Sequence, residues 1–155
     1  MDNPFMARAI ALSIENVHSG CGGPFGAVIV KDGAMIAEGA NQVTLTKDPT
    51  AHAEMLAIRA ACAKLGVFEL QGCEIYASCE PCPMCLGAIY WARLSRIYYA
   101  SDADDASRIG FDDSLIYREV AKLLAHRSIP MVQMMGEQAL EAFRTWEEKP
   151  NKIVY

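Results

Sequence analysis

At 155 residues the chain can bury one substantial core but not two, so a single domain over 1–155 is expected. Hydrophobic residues make up 52% and charged residues 21%, with prolines and glycines scattered along the chain, which excludes a disordered, collagen-like or linker-dominated protein. The net charge of -5 argues against an affinity built on neutralising phosphates, and so against nucleic acid as a partner.

No apolar run is long enough to cross a bilayer, and residues 1–16 lack the basic and continuously apolar regions of a secretion signal. A cytoplasmic protein is expected. In that compartment the six cysteines are free thiols or metal ligands rather than disulfides.

In chain order, Asn3 caps and Pro4 opens a first helix, whose Phe5, Ala9, Ile10, Leu12, Ile14 and Val17 are apolar up to Gly20. Residues 25–30 and 35–40 read as a hairpin around Lys31-Asp32-Gly33. After a polar loop closed by Pro49, residues 52–65 carry Met55, Leu56, Ile58, Ala61, Cys62 and Leu65 at helical spacings, with Gly66 as the stop. A strand over 73–77, a helix over 83–92 and a strand over 96–100 suggest a right-handed crossover between parallel strands. A helical stretch around 115–124, a strand at 129–134, a turn at Gly136 and a helix through Trp146 complete the chain. With no internal repeat and no boundary, the expected fold is α/β, with one mixed sheet of about five strands covered by helices on both faces.

The chemistry gathers in His52-Ala53-Glu54 and Pro81-Cys82-Pro83-Met84-Cys85. Cys82 and Cys85, three apart at a helix start, project from one face, and the positive end of the helix dipole favours the thiolates that zinc binds. His52 and Glu54 are two apart, about 200° on a regular helix, so they share a site only if His52 sits at the irregular helix entrance. Two helix N-termini then meet over one metal. One histidine and two cysteines leave a fourth tetrahedral position for water, with Glu54 placed to take its proton. Cys79 continues the even spacing of Cys82 and Cys85, so a closed four-ligand structural site with His52 is an alternative.

H-x-E followed by P-C-x-x-C is the signature of the zinc deaminases, and over nearly its whole length the chain resembles the cytidine deaminase superfamily. The resemblance implies a three-layer α/β/α fold, His52, Cys82 and Cys85 as zinc ligands, Glu54 as proton shuttle, and Cys79 outside the coordination sphere. Within the superfamily the chain is most similar to the bacterial guanine deaminases. That similarity is carried by Gly23-Pro24-Phe25-Gly26-Ala27-Val28, by Ser78-Cys79-Glu80-Pro81-Cys82-Pro83-Met84-Cys85, and by Gly110-Phe111-Asp112-Asp113-Ser114. It implies hydrolysis of guanine to xanthine and ammonia.

A base with ring and exocyclic N–H donors calls for a second carboxylate, and the resemblance points to Asp113. Its neighbour Asp112 is the competing choice, and both could instead be solvated residues capping a helix near Ser114. Asn41, at the end of the hairpin, could pair with a donor and an acceptor edge of a purine, or serve only as a turn residue. Phe25 and Trp91 are either walls for a flat heterocycle or ordinary core aromatics. Ala53 and Tyr155 complete the implied substrate contacts.

His18, His126, Cys21, Cys62 and Cys73 have no ligand spacing. The apolar tail Ile153-Val154-Tyr155 is expected to be covered, closing over the chain's own site or a partner's in a homodimer. The main competing activities are tRNA adenosine deamination, whose enzymes resemble one another in a basic C-terminal helix absent here, and deamination of cytosine or an aminotriazine.

Overall fold

The computed structural model describes residues 2–155. Met1, at the head of the stretch read for a secretion signal, lies outside the described residues. The chain falls into two compact units, Met1–Asp113 and Ser114–Tyr155.

The first unit opens with helix α1 (Pro4–Ser19), which begins as its sequence requires. Asn3 Oδ1 accepts the otherwise orphaned N–H groups of Phe5 and Met6, each at 3.0 Å, a cap worth about 1 kcal/mol. At the other end Gly20 takes the left-handed conformation that stops the helix. The hairpin follows as β1 (Gly26–Lys31) and β2 (Ala34–Ala40), joined by Asp32 and Gly33 with φ of 50° and 73°. Two positive φ values are the signature of the tight hairpin turn whose twist matches the flanking strands.

After a single helical turn α2 (Val43–Thr46) come α3 (Ala53–Leu65), β3 (Cys73–Cys79), α4 (Pro83–Trp91), β4 (Arg96–Ser101) and the short α5 (Ala103–Arg108). The strands form one sheet in the order β2-β1-β3-β4, antiparallel except for the parallel pair β3 and β4. The crossover through α4 is therefore the parallel connection its spacing indicated.

Alternation along the central strands builds a core on each face. Val28 and Val30 of β1 and Tyr76 of β3 meet Ala9 and Leu12 of α1. Ala27, Ile29 and Ile75 face the other way and meet Ala53, Ala57 and Ala61 of α3 and Ile89 of α4. Ile29 and Ile75 are fully buried, and each contributes about 1.5–3 kcal/mol by leaving water. Small residues on α3 bring that helix close to the sheet. Gly39 of β2 is the tightest point, because a Cβ there would run into the Ala53 carbonyl and lie 2.7 Å from the Ala57 nitrogen.

The second unit contains α6 (Ser114–Ala121), a 3-10 turn (Leu124–His126) and α7 (Gly136–Glu148). Inside it, Glu119 accepts the Ser128 N–H at 2.7 Å, and Arg127 donates to the Val120 carbonyl. The strand expected at 129–134 does not form, so the sheet has four strands among the described residues rather than about five. An apolar run becomes a strand only where a neighbouring strand pairs with it. Here Ile129, Val132 and Met134 are each about four-fifths exposed, with no ladder. The tail Ile153-Val154-Tyr155 is exposed in the single chain.

Gly39→Ala is expected to push α3 off the sheet and lower stability by about 1–3 kcal/mol, the usual cost of overpacking. Thermal denaturation checks this, and an unchanged midpoint would mean the contact relaxes freely.

Candidate active site

The helices α3 and α4 both begin at the same place. His52 is the N-cap of α3 and Cys82 the N-cap of α4, each with an extended backbone (φ/ψ of -71°/155° and -64°/167°) and neither using its side chain to cap the helix. Leaving the helical path at the N-cap lets His52 face the same site as Glu54 despite their spacing of two. Pro83 at the first position of α4 suits a helix that starts there, since its missing N–H is one the helix could not have used. Cys85, one turn in, is fully buried.

His52 Nδ1 lies 3.6 Å from Cys82 Sγ and 3.5 Å from Cys85 Sγ, and the three ligand atoms fall within 4.8 Å of one another. Zn–N bonds of about 2.05 Å and Zn–S bonds of about 2.3 Å at tetrahedral angles separate nitrogen from sulfur by about 3.6 Å. His52, Cys82 and Cys85 therefore fit Zn2+.

The protons around the cluster follow from the same geometry. A hydrogen bond from Cys85 and another from His52 hold the Cys82 thiol down at about 4, against the opposing effect of burial. Cys85 is pushed up because it keeps the shared proton beside that thiolate and is itself buried. His52 is raised chiefly by its hydrogen bond with Cys82. The sulfurs and the imidazole thus hold protons among themselves that zinc would displace.

Glu54 is buried against this cluster, with 8% of its surface exposed. Burial raises its carboxyl above the ordinary range, and a hydrogen bond with Cys85 opposes the shift. Cys79 does not join the cluster. Its Sγ approaches the Asp102 carbonyl at 3.6 Å, and burial pushes its thiol up to about 11, so the closed four-ligand arrangement is absent.

Asp113 is half-buried and Asp112 exposed. Burial and then the negative charge of Cys82 raise the Asp113 carboxyl, which puts it within electrostatic reach of the cluster. Asn41 is buried, and its Oδ1 accepts the N–H groups of Gly23 and Val43, both at 3.2 Å. This narrows what its amide offers. With both lone pairs of Oδ1 engaged, only Nδ2 remains to meet a ligand, as a donor.

Phe25 is partly buried and meets Phe111 edge-on, with ring centroids 4.9 Å apart at 88°. Ala53 is buried in the first turn of α3, between His52 and Glu54. Trp91 is not brought beside them. It ends the helix that Cys82 begins, about 13.5 Å away along the axis at 1.5 Å per residue, and is 63% exposed rather than in the core. Tyr155 is at the exposed end of the second unit. His18 and His126 are exposed, and neither belongs to the metal cluster.

Sequence reasoning passed over two residues. Phe111 stood inside a recognised stretch but had no assigned contact until its ring was seen against Phe25. Asn16 resembled a polar position on the outer face of α1, yet it is buried and donates to two loop carbonyls. Its low helix propensity, in the last turn of an amphipathic helix, was the only available signal.

A three-ligand zinc centre with a buried carboxylate at its rim is the arrangement of a metal-assisted hydrolase. Residues 1–101 match the cytidine and deoxycytidylate deaminase zinc-binding region, and the chain belongs to that family. It is 55% identical over 151 residues to the guanine deaminase of Bacillus subtilis, covering 97% of each chain. The X-ray structure of guanine deaminase from Bacillus subtilis superposes with a TM-score of 0.96 at 54% identity, covering 100% of this chain and 99% of the other. The tRNA-specific adenosine deaminase of Aquifex aeolicus is 47% identical over 78 residues, 50% of this chain and 52% of that one.

In metal-free protein at about pH 6, iodoacetamide is expected to alkylate Cys82 ahead of Cys79 and Cys85, because only the first is then a thiolate. Peptide mapping of the label gives the order. Equal labelling of all three would show that the proton sharing is wrong.

Proposed function

We propose that this chain hydrolyses guanine to xanthine and ammonia, with His52, Cys82 and Cys85 holding zinc and Glu54 carrying protons. The observation that carries the reading is the full-length likeness to guanine deaminase, which includes the stretch through Asp113 as well as the metal motifs. The likeness to a tRNA-specific adenosine deaminase reaches only half of the chain. A net charge of -5 also suits a free base better than RNA.

When bound, zinc lowers the pKa of a coordinated water toward neutrality, so that a nucleophile exists at physiological pH. The Glu54 carboxylate takes the proton of the attacking water and returns it to the amine as the carbon–nitrogen bond breaks. Burial suits it to both tasks, because it raises the carboxyl toward the pH at which a proton is as readily accepted as given. Asp113 accepts N–H groups of the base and helps hand a proton to the departing ammonia. Asn41 Nδ2 donates to an acceptor edge, the Phe25 ring packs against the heterocycle, and Ala53 closes the floor beside Glu54.

The reading extends to the whole of 1–155 acting as one deaminase domain in a homodimer in the cytoplasm. Val132, Met134, Phe143, Ile153 and Val154 are all exposed in the single chain, which favours burial against a second copy. Tyr155 and its neighbours then close over an active site, the chain's own or its partner's. Among the described residues no helix is long and apolar enough to cross a membrane, and all six cysteines are free, as a reducing compartment requires.

Glu54→Gln is expected to retain zinc and the fold but lose about 10²–10⁴-fold in guanine turnover, the usual contribution of a positioned acid–base group. Guanine consumption and ammonia release measure it, and undiminished turnover would remove the shuttle. In the same assay Asp113→Ala is expected to be the more damaging and Asp112→Ala the milder, with zinc content equal. The reverse order would give the role to Asp112. Inosine formation in a tRNA anticodon loop without activity on guanine would replace the substrate.

A further inference from the structure

Asn41 and Phe25 are held by a closed ring of hydrogen bonds that begins outside the site. Asn16, in the last turn of α1, is 6% exposed, and its Nδ2 donates to the Gly23 and Asn41 carbonyls, both at 2.8 Å. Gly23 returns its N–H to Asn41 Oδ1 at 3.2 Å, and its carbonyl also accepts the Phe25 N–H at 2.9 Å. The Asn41 N–H donates to the Phe25 carbonyl at 3.1 Å, so the loop and the strand end are tied at both peptide groups. There is no slack in this clasp. A Cβ on Gly22 would collide with the Asn41 carbonyl and reach 2.8 Å from its Oδ1.

We infer that Asn16 is a positioning residue for the base-binding side of the site, acting through Gly23 and Asn41 and touching no substrate itself. Its two N–H groups point at two carbonyls from segments 18 residues apart in sequence, and the uncharged primary amide supplies both donors from one nitrogen. The ring also decides which way the Asn41 amide faces. With Oδ1 bound to the Gly23 and Val43 N–H groups, Nδ2 is the atom presented outward. Without Asn16 the Gly23 and Asn41 carbonyls lose a buried donor, and the loop that carries Phe25 is free to shift.

The functional part of the inference rests on the proposed guanine reading, whereas the clasp can be scored without it. Asn16→Ala is expected to raise KM for guanine about tenfold, the scale of a lost buried hydrogen bond, with kcat within about threefold and zinc content unchanged. In an Asn41→Ala background the same substitution is expected to raise KM by clearly less than tenfold, because one of the two side chains it positions, Asn41, is gone while Phe25 remains. Independently of any substrate, amide hydrogen exchange at Gly23 and Val43 is expected to speed up in zinc-loaded Asn16→Ala relative to the zinc-loaded wild type.

Additive effects of Asn16→Ala and Asn41→Ala, or a loss confined to kcat, would overturn the positioning role. Unchanged exchange at both amides would overturn the clasp. Wild-type protein inactive on guanine would refute the substrate reading alone, and the clasp would then be judged by exchange. Should Asn16→Ala not fold, Asn16→Asp replaces it, keeping the shape but removing the donors. Failure of both to fold with zinc would assign Asn16 to folding and overturn the inference.

Discussion

The geometry of the molecule turns on the convergence of two helix N-termini at one end of the sheet. Each helix opens at an N-cap with extended backbone, and each N-cap belongs to the cluster that fits zinc, His52 for α3 and Cys82 for α4. The positive ends of both helix dipoles therefore face the same small volume. That field favours a thiolate at Cys82, and it would favour negative charge on any oxygen brought there. The crossover of β3, α4 and β4 places α4 beside α3, and Gly39 lets α3 lie close on β2. A thicker residue there would move His52 with its helix.

Around that point burial sorts chemically similar groups into different tasks. Cys79, Cys82 and Cys85 are evenly spaced, yet one thiol is held at about 4, another is pushed to about 11 and the third is buried holding a proton. The differences follow from what each sulfur faces. Cys82 meets His52 and Cys85, whereas Cys79 is turned to the Asp102 carbonyl. The carboxylates divide in the same way. Glu54 is buried at the rim and Asp113 is half-buried within the field of Cys82, while Asp112 stands in water.

The proposed base-binding side is organised by polar groups outside the metal-ligating cluster. Asn41 Oδ1 is used up on backbone N–H groups, so the residue offers a ligand a donor rather than a matched donor and acceptor pair. Asn16 and the bare backbone of Gly22 and Gly23 maintain that arrangement from behind. A buried ring of hydrogen bonds is costly to leave half-made, which makes it a stiff support for a base-binding edge.

Much was legible in the sequence, for local reasons. Capping residues, the Asp32-Gly33 turn and helical periodicity are written within a few residues of where they act, so α1, the hairpin, α3, β3 and α4 lie where expected. The cluster of His52, Cys82 and Cys85 was equally legible, because H-x-E and C-x-x-C encode a helix entrance and a helix face. Tertiary structure decided everything that depends on what lies opposite. No strand pairs with 129–134, so an apolar run that reads as β stays irregular. Trp91 was ambiguous between wall and core, and its place at the far end of α4 leaves it exposed in the single chain. The burial of Asp113 relative to Asp112, Cys79 outside the cluster, and the hydrogen bond from Asn16 to the Asn41 carbonyl are long-range outcomes that periodicity cannot carry. Residue type and spacing determine which groups can bind a metal or end a helix. Only packing determines which way each side chain turns, and therefore which proton, lone pair or donor the site can use.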